Sequence, residues 1–148
     1  MSSTYLSLHY HIVFSTKGRE SIIAPAWRQN LHKYLAGTSS GLGASCEIVG
    51  GTEDHVHLLV ELRATHTLSD FMREVKRASS TWVHSDMSKP EFAWQEGYAA
   101  FTVSASAIAE VRRYIENQEE HHRERIFLEE LRIMLQRSGV KYNERYLD

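Results

Sequence analysis

Hydrophobic periodicity switches between two and about 3.6 residues in a fixed order along this chain, and that order restricts the fold more than any other feature. From Leu6 to Phe14 apolar residues alternate (Leu6, Leu8, Tyr10, Ile12, Phe14), with polar or histidine positions between them. Period two predicts a half-buried strand. The basic turn Thr16-Lys17-Gly18-Arg19 closes it. Pro25 then opens a predicted helix, with Trp27, Leu31, Tyr34 and Leu35 at helical spacing and Gly37 as terminator, followed by a Gly/Ser loop from Gly37 to Gly43. A strand from Ala44 to Val49, the turn Gly50-Gly51-Thr52-Glu53-Asp54 and a strand from His55 to Leu62 read as a hairpin.

Thr67 and Asp70 resemble a capping box at the start of a second helix. Leu68, Phe71, Met72, Val75, Ala78 and Trp82 repeat as its buried face. Pro90 falls in a loop, and Tyr98 to Val103 reads as a fourth strand. Ser104 or Ser106 can cap a third helix running to about His122, and a last helix spans Ile126 to Gln136, before Gly139. The order β-α-β-β-α-β plus extra helices predicts an α+β fold. It is the ferredoxin-like split βαβ sandwich, an antiparallel sheet with helices on one face and further C-terminal helices. A length of 148 residues suits one domain, 1–148.

No apolar run approaches the roughly 20 residues that span a bilayer, so a membrane partner is not expected. The start Met1-Ser2-Ser3-Thr4-Tyr5 lacks the pattern of a secretory signal, and the single cysteine, Cys46, fits a reducing cytoplasm. A formal net charge of −2 speaks against an extended grip on duplex phosphates and leaves room for a small single-stranded target.

The nine histidines are more telling. His55-Val56-His57 places two imidazoles on one strand face, where they can converge on a divalent cation. A second pair, His9-Tyr10-His11, lies on the first strand, which this topology sets beside the strand of His55. His9 reads as a polar strand position. His11 stays open, as a lining of a nucleic-acid groove or a support behind a metal. Tyr114 and Gln118 stand four residues apart and project from one helical face. A phenol with a pKa of about 10 is a poor nucleophile unless a metal helps neutralise the developing charge. Packing beside Val111 and Ile115 is the plain alternative for Tyr114. His121 and His122 could bind metal, although histidines near a helix end more often meet the helix dipole.

Glu53-Asp54-His55-Val56-His57-Leu58-Leu59-Val60, Trp94-Gln95-Glu96-Gly97-Tyr98 and Tyr114-Ile115-Glu116-Asn117-Gln118 resemble, in this order, the motifs of the single-tyrosine HUH transposases. Tyr10-His11-Ile12-Val13-Phe14-Ser15-Thr16-Lys17 is similar to that family's first strand, and Val140 to Leu147 to its chromosomal, repeat-associated branch. The resemblance implies that His55, His57 and Gln118 bind Mg²⁺ or Mn²⁺ and that Tyr114 is the nucleophile. It implies cutting and rejoining of single-stranded DNA, with hairpin-forming ends, through a 5′-phosphotyrosine and a free 3′-hydroxyl. It also implies a homodimer whose active site is completed in trans. By residue type alone the site would suit zinc or nickel as well.

For DNA contact the sequence offers Arg63, Arg73, Lys76 and Arg77 as phosphate partners, with Trp94 or Tyr98 to stack a base. Two other functions compete: a domesticated, non-catalytic binder of DNA hairpins or repeats, and a metal-dependent hydrolase that makes no covalent adduct.

Overall fold

The computed structural model describes residues 3–122 and 125–147, and its elements follow the expected order. They are β1 (His9–Ser15), α1 (Pro25–Gly41), β2 (Ser45–Gly51), β3 (His55–Glu61), α2 (Leu68–Asp86), β4 (Ala99–Val103), α3 (Ile108–Glu116), α4 (Gln118–His121) and α5 (Phe127–Arg137). The strands pair antiparallel in the order β2-β3-β1-β4, the split βαβ arrangement. Among the described residues no helix is long and apolar enough to cross a membrane.

Alternation along β1 and β3 sorts their side chains onto two faces. Ile12, Phe14, Val56, Leu58 and Val60 meet Trp27, Leu31 and Leu35 of α1 and Phe71, Met72 and Val75 of α2. Trp94 joins this core, its indole Nε1 donating to Ser79 Oγ at 2.9 Å. The opposite face is covered too. Val13 lies under Phe127, Leu131 and Leu135 of α5, and Leu59 and Val103 pack with Ile115 of α3. The expectation of a half-buried first strand is therefore corrected: His11 to Ser15 are buried on both faces, because the C-terminal helices add a third layer.

The segment expected to be a Gly/Ser loop is helical instead, and α1 continues through Gly37 to Gly41. Leu35 and Ser39 are buried on its inner face, and Ser39 Oγ donates to Leu35 O at 2.8 Å. Packing on α2 and the sheet outweighs the propensity cost of glycine and serine. The chain turns at Gly43, where φ is +90°. A Cβ at Gly37 would meet nothing within 4 Å. Gly37→Ala is thus expected to stabilise the protein by about 0.5–1 kcal/mol, read from the midpoint of a urea melt.

β2 likewise runs on through Gly50 and Gly51, which the sequence had suggested for the turn. Gly50 lies opposite His57, and a Cβ there would fall 2.4 Å from Ile115 O and 2.7 Å from Ile115 Cγ2. Only a glycine lets α3 sit this close to the sheet.

The predicted third helix is broken. A 3₁₀ turn over Ala105–Ala107 precedes α3, and Asn117 (φ −100°, ψ 25°) separates α3 from α4. Asparagine tolerates such a break because its side chain competes with the helical backbone. The break leaves both Ile115 and Gln118 buried against the sheet.

Candidate active site

His55 and His57 point from β3 into the layer under α3, α4 and α5, and both are fully buried. The register sets Val13 opposite His57 and Ser15 opposite His55, so His11 lies on the same face one step along β1. His11 Nε2 is 2.7 Å from His57 Nδ1. On the other flank, His55 Nδ1 is 2.8 Å from the Asp54 carboxylate and 3.2 Å from Thr52 Oγ1. Phe127 stacks on the His55 ring at 4.4 Å. Each imidazole is thus held by a partner behind it, which fixes ring orientation and leaves Nε2 aimed into the site.

Tyr114 and Gln118 arrive from above. They belong to α3 and α4, not to one unbroken helix, yet they still converge. Gln118 Oε1 is 2.9 Å from His55 Nε2, and the Tyr114 ring lies 5.9 Å from the His57 ring and 6.1 Å from the His11 ring. His121 stacks on Tyr114 at 4.6 Å. The tyrosine therefore faces the histidines of its own chain.

Sequence reasoning missed the residue at the centre. Glu130, buried on α5, brings its Oε1 to 3.0 Å from His57 Nε2, 3.3 Å from His122 Nε2 and 3.5 Å from His55 Nε2. Its Oε2 accepts from Gln118 Nε2 at 3.0 Å and from the Tyr114 hydroxyl. A signal was present: Glu130 shares the face of the apolar stripe Phe127, Leu131, Leu135, where a solvated carboxylate does not belong. His122, for which the sequence left both metal binding and the helix dipole open, packs its ring 4.5 Å from that of His55.

The electrostatics follow from burial. Burial pulls His57 down to about 4, against the pull of the Glu130 carboxylate, and burial with the neighbouring His57 takes His11 to about 3. Both rings are neutral at pH 7, the form that ligates metal. Burial opposes ionisation of Glu130, but hydrogen bonds from His122, His57 and Tyr114 override it and hold the carboxyl far below its usual range. Burial and the adjacent Glu130 push the Tyr114 phenol above its ordinary value. Asp54 works against burial in the same way, held below its usual value by His55 and Thr52.

The donor set fits a divalent cation. His55, His122 and Glu130 offer ligand atoms within 4.8 Å of one another, and His57 and Gln118 contact the same Glu130 carboxylate.

The remaining expected residues lie elsewhere. His9 is 3.5 Å from Glu61, as a polar strand position. Arg63 is exposed just beyond β3. Arg73, Lys76 and Arg77 sit on α2, across the sheet from the histidines. Arg73 pairs with Asp70 at 3.0 Å and Arg77 with Glu74 at 2.7 Å. Lys76 Nζ donates to the carbonyls of Gln95, Glu96 and Gly97 and lies over the Tyr98 ring, which commits it to the loop before β4. Trp94 is a core residue, packed edge-to-face with Phe14 and Phe92.

Residues 4–118 match the family described as IS200-like transposases. The ISDra2 transposase TnpA of Deinococcus radiodurans is 26% identical over 117 residues, covering 75% of this chain and 84% of its own. A crystal structure of a transposase from Deinococcus radiodurans R1 superposes with a TM-score of 0.62 at 26% identity, over 80% of this chain and 96% of that one. A REP-associated tyrosine transposase bound to a REP hairpin shares the fold, with a TM-score of 0.52 at 13% identity, over 78% of this chain and 68% of that one. The family match ends at Gln118, so His122 and Glu130 lie beyond it. With the ferredoxin-like sheet, the paired histidines of β3 and a family match across most of its length, this chain belongs to the IS200-like transposases.

Proposed function

We propose that this DNA-cleaving enzyme cuts and rejoins single-stranded DNA by transesterification through Tyr114, with Mg²⁺ or Mn²⁺ held by His55, His57 and Gln118. The observation that carries the reading is convergence: the Tyr114 hydroxyl, two imidazole Nε2 atoms and the Gln118 side chain all meet one carboxylate, that of Glu130. A core tyrosine has no need of such company.

Tyr114 Oη attacks the phosphorus, and the bond to the 3′-oxygen breaks. The 5′-phosphate stays on the tyrosine and a 3′-hydroxyl is released. Attack by another 3′-hydroxyl reverses the exchange, so one P–O bond forms and one breaks each time and no nucleotide triphosphate is consumed. The divalent cation, when bound, neutralises charge developing on the scissile phosphate. His11 and Asp54 are positioning residues, each orienting one imidazole from behind. Glu130 Oε2, already the acceptor of the Tyr114 hydroxyl hydrogen bond, stands where the departing phenolic proton must pass.

The proposed DNA is a hairpin-forming single strand; REP hairpin binding is known for the structural neighbour of the same fold. Arg63, Arg73 and Arg77 are the exposed cations proposed to meet its phosphates. His11 does so only if the cover over the site opens. The proposed assembly is a homodimer in the cytoplasm, which light scattering at two concentrations tests.

The decisive experiment incubates the protein with labelled single-stranded hairpin DNA from the flanks of its own gene, with Mn²⁺, and resolves the products on a denaturing gel. A covalent protein–DNA band is expected, and chelator should remove it. Retardation of the hairpin on a native gel without any covalent band would favour the domesticated, non-catalytic binder.

A further inference from the structure

His55 carries a bookkeeping conflict that points to an additional ligand. Its Nδ1 faces the Asp54 carboxylate at 2.8 Å, and a carboxylate only accepts, so in the neutral ring the proton sits on Nδ1 and Nε2 bears a lone pair. That lone pair faces Gln118 Oε1 at 2.9 Å and Glu130 Oε1 at 3.5 Å. All three are acceptors. Reversing the Gln118 amide only moves the conflict, because its oxygen would then face Glu130 Oε2 across 3.0 Å. Acceptors that converge in a dry site call for a cation between them.

The spacing agrees. With metal–ligand bonds of about 2.1 Å, neighbouring donors stand about 3.0 Å apart in an octahedron and about 3.4 Å in a tetrahedron. The observed separations are 2.9 Å for His55 to Gln118, and 3.0, 3.3 and 3.5 Å from Glu130 Oε1 to His57, His122 and His55. A carboxylate beside an amide oxygen also makes the set harder, as magnesium and manganese prefer.

We propose that Glu130 and His122 are ligands of the same divalent-cation centre as His55, His57 and Gln118, so that helix α5, outside the span matched to the family, supplies part of the metal site. This rests on the metal reading proposed above. It makes docking of the C-terminal helix and loading of the cation a single linked equilibrium: metal clamps α5 onto the sheet, and a docked α5 tightens metal.

Calorimetric titration with Mn²⁺, without DNA, tests it on the whole protein. The wild type is expected to bind one equivalent, and saturating Mn²⁺ to raise its melting temperature. Glu130→Gln, which keeps shape and removes the charge, is expected to weaken binding at least tenfold and to shrink that rise. In a cobalt-substituted protein the visible absorption bands should shift in Glu130→Gln and in His122→Gln, a readout that a merely structural role would not move. Unchanged or tighter Mn²⁺ binding by Glu130→Gln overturns the inference, since the carboxylate would then be a rival of the cation, and the transposase reading would stand. Should Glu130→Gln fail to fold, unchanged cobalt bands in His122→Gln overturn it instead. If wild type and His57→Ala alike take up no Mn²⁺, the metal reading falls together with this inference.

Discussion

Tyr114→Phe is expected to abolish the covalent protein–DNA adduct while the protein still folds and still retards a hairpin. The ring keeps its place, because its contacts with His121, His57 and His11 are made by the aromatic body and not by the hydroxyl. What disappears is the nucleophile, together with one hydrogen bond to Glu130. Losing that bond costs about 1–3 kcal/mol at most, which a folded domain tolerates. Loss of the nucleophile removes the reaction path itself, so the single-turnover cleavage rate should fall by at least about a thousandfold. Urea melting and a native gel beside the denaturing gel separate the two effects. If the variant still nicks at the wild-type rate, a non-covalent hydrolase becomes the correct description.

Gly50→Ala should damage both stability and cleavage although Gly50 touches no substrate. The added carbon would lie 2.4 Å from Ile115 O, a backbone atom that cannot swing aside. α3 must retreat, and overpacking of this kind costs about 1–3 kcal/mol. Tyr114 is the residue before Ile115, so it retreats with the helix. A displacement near 1 Å is enough to slow a positioned reaction by about a hundredfold. The contrast with Gly37→Ala is the control, because the same atom is added there into open space. Melts of the two variants should move in opposite directions, and wild-type cleavage by Gly50→Ala would show that the tyrosine is not placed by this contact.

Local pattern made much of the fold legible. Period two found β1, the clustered Val56, Leu58, Leu59 and Val60 found β3, Gly50-Gly51 marked the hairpin, and Thr67 does cap α2, its hydroxyl accepting from Asp70 N at 3.3 Å. His55, His57, Tyr114 and Gln118 do meet. The misses share one cause, tertiary contact overruling local preference. Ser39 and Gly41 look like loop residues until the buried bond from Ser39 to Leu35 O is known. The break at Asn117 has no glycine or proline to announce it. Glu130 is 73 residues from His57 in sequence, and an acid inside an apolar stripe gives no hint of which imidazoles will enclose it. Residue type likewise gives no sign that a loop of carbonyls engages Lys76 or that Trp94 joins a core of aromatic rings.

The strand order has a consequence for how the chain can be made. β1 is synthesised first but ends up inside the sheet, and β4, which covers its second edge, is synthesised last of the four. Until residue 103 has emerged, β1 offers a row of unpaired amides and carbonyls, and Val13 still lacks the roof that α5 provides. Such an edge is a template for pairing with other chains. A prematurely stopped polypeptide is therefore an aggregation seed and not a partly active enzyme, and the final third of the sequence acts as the chain's own protection against self-association.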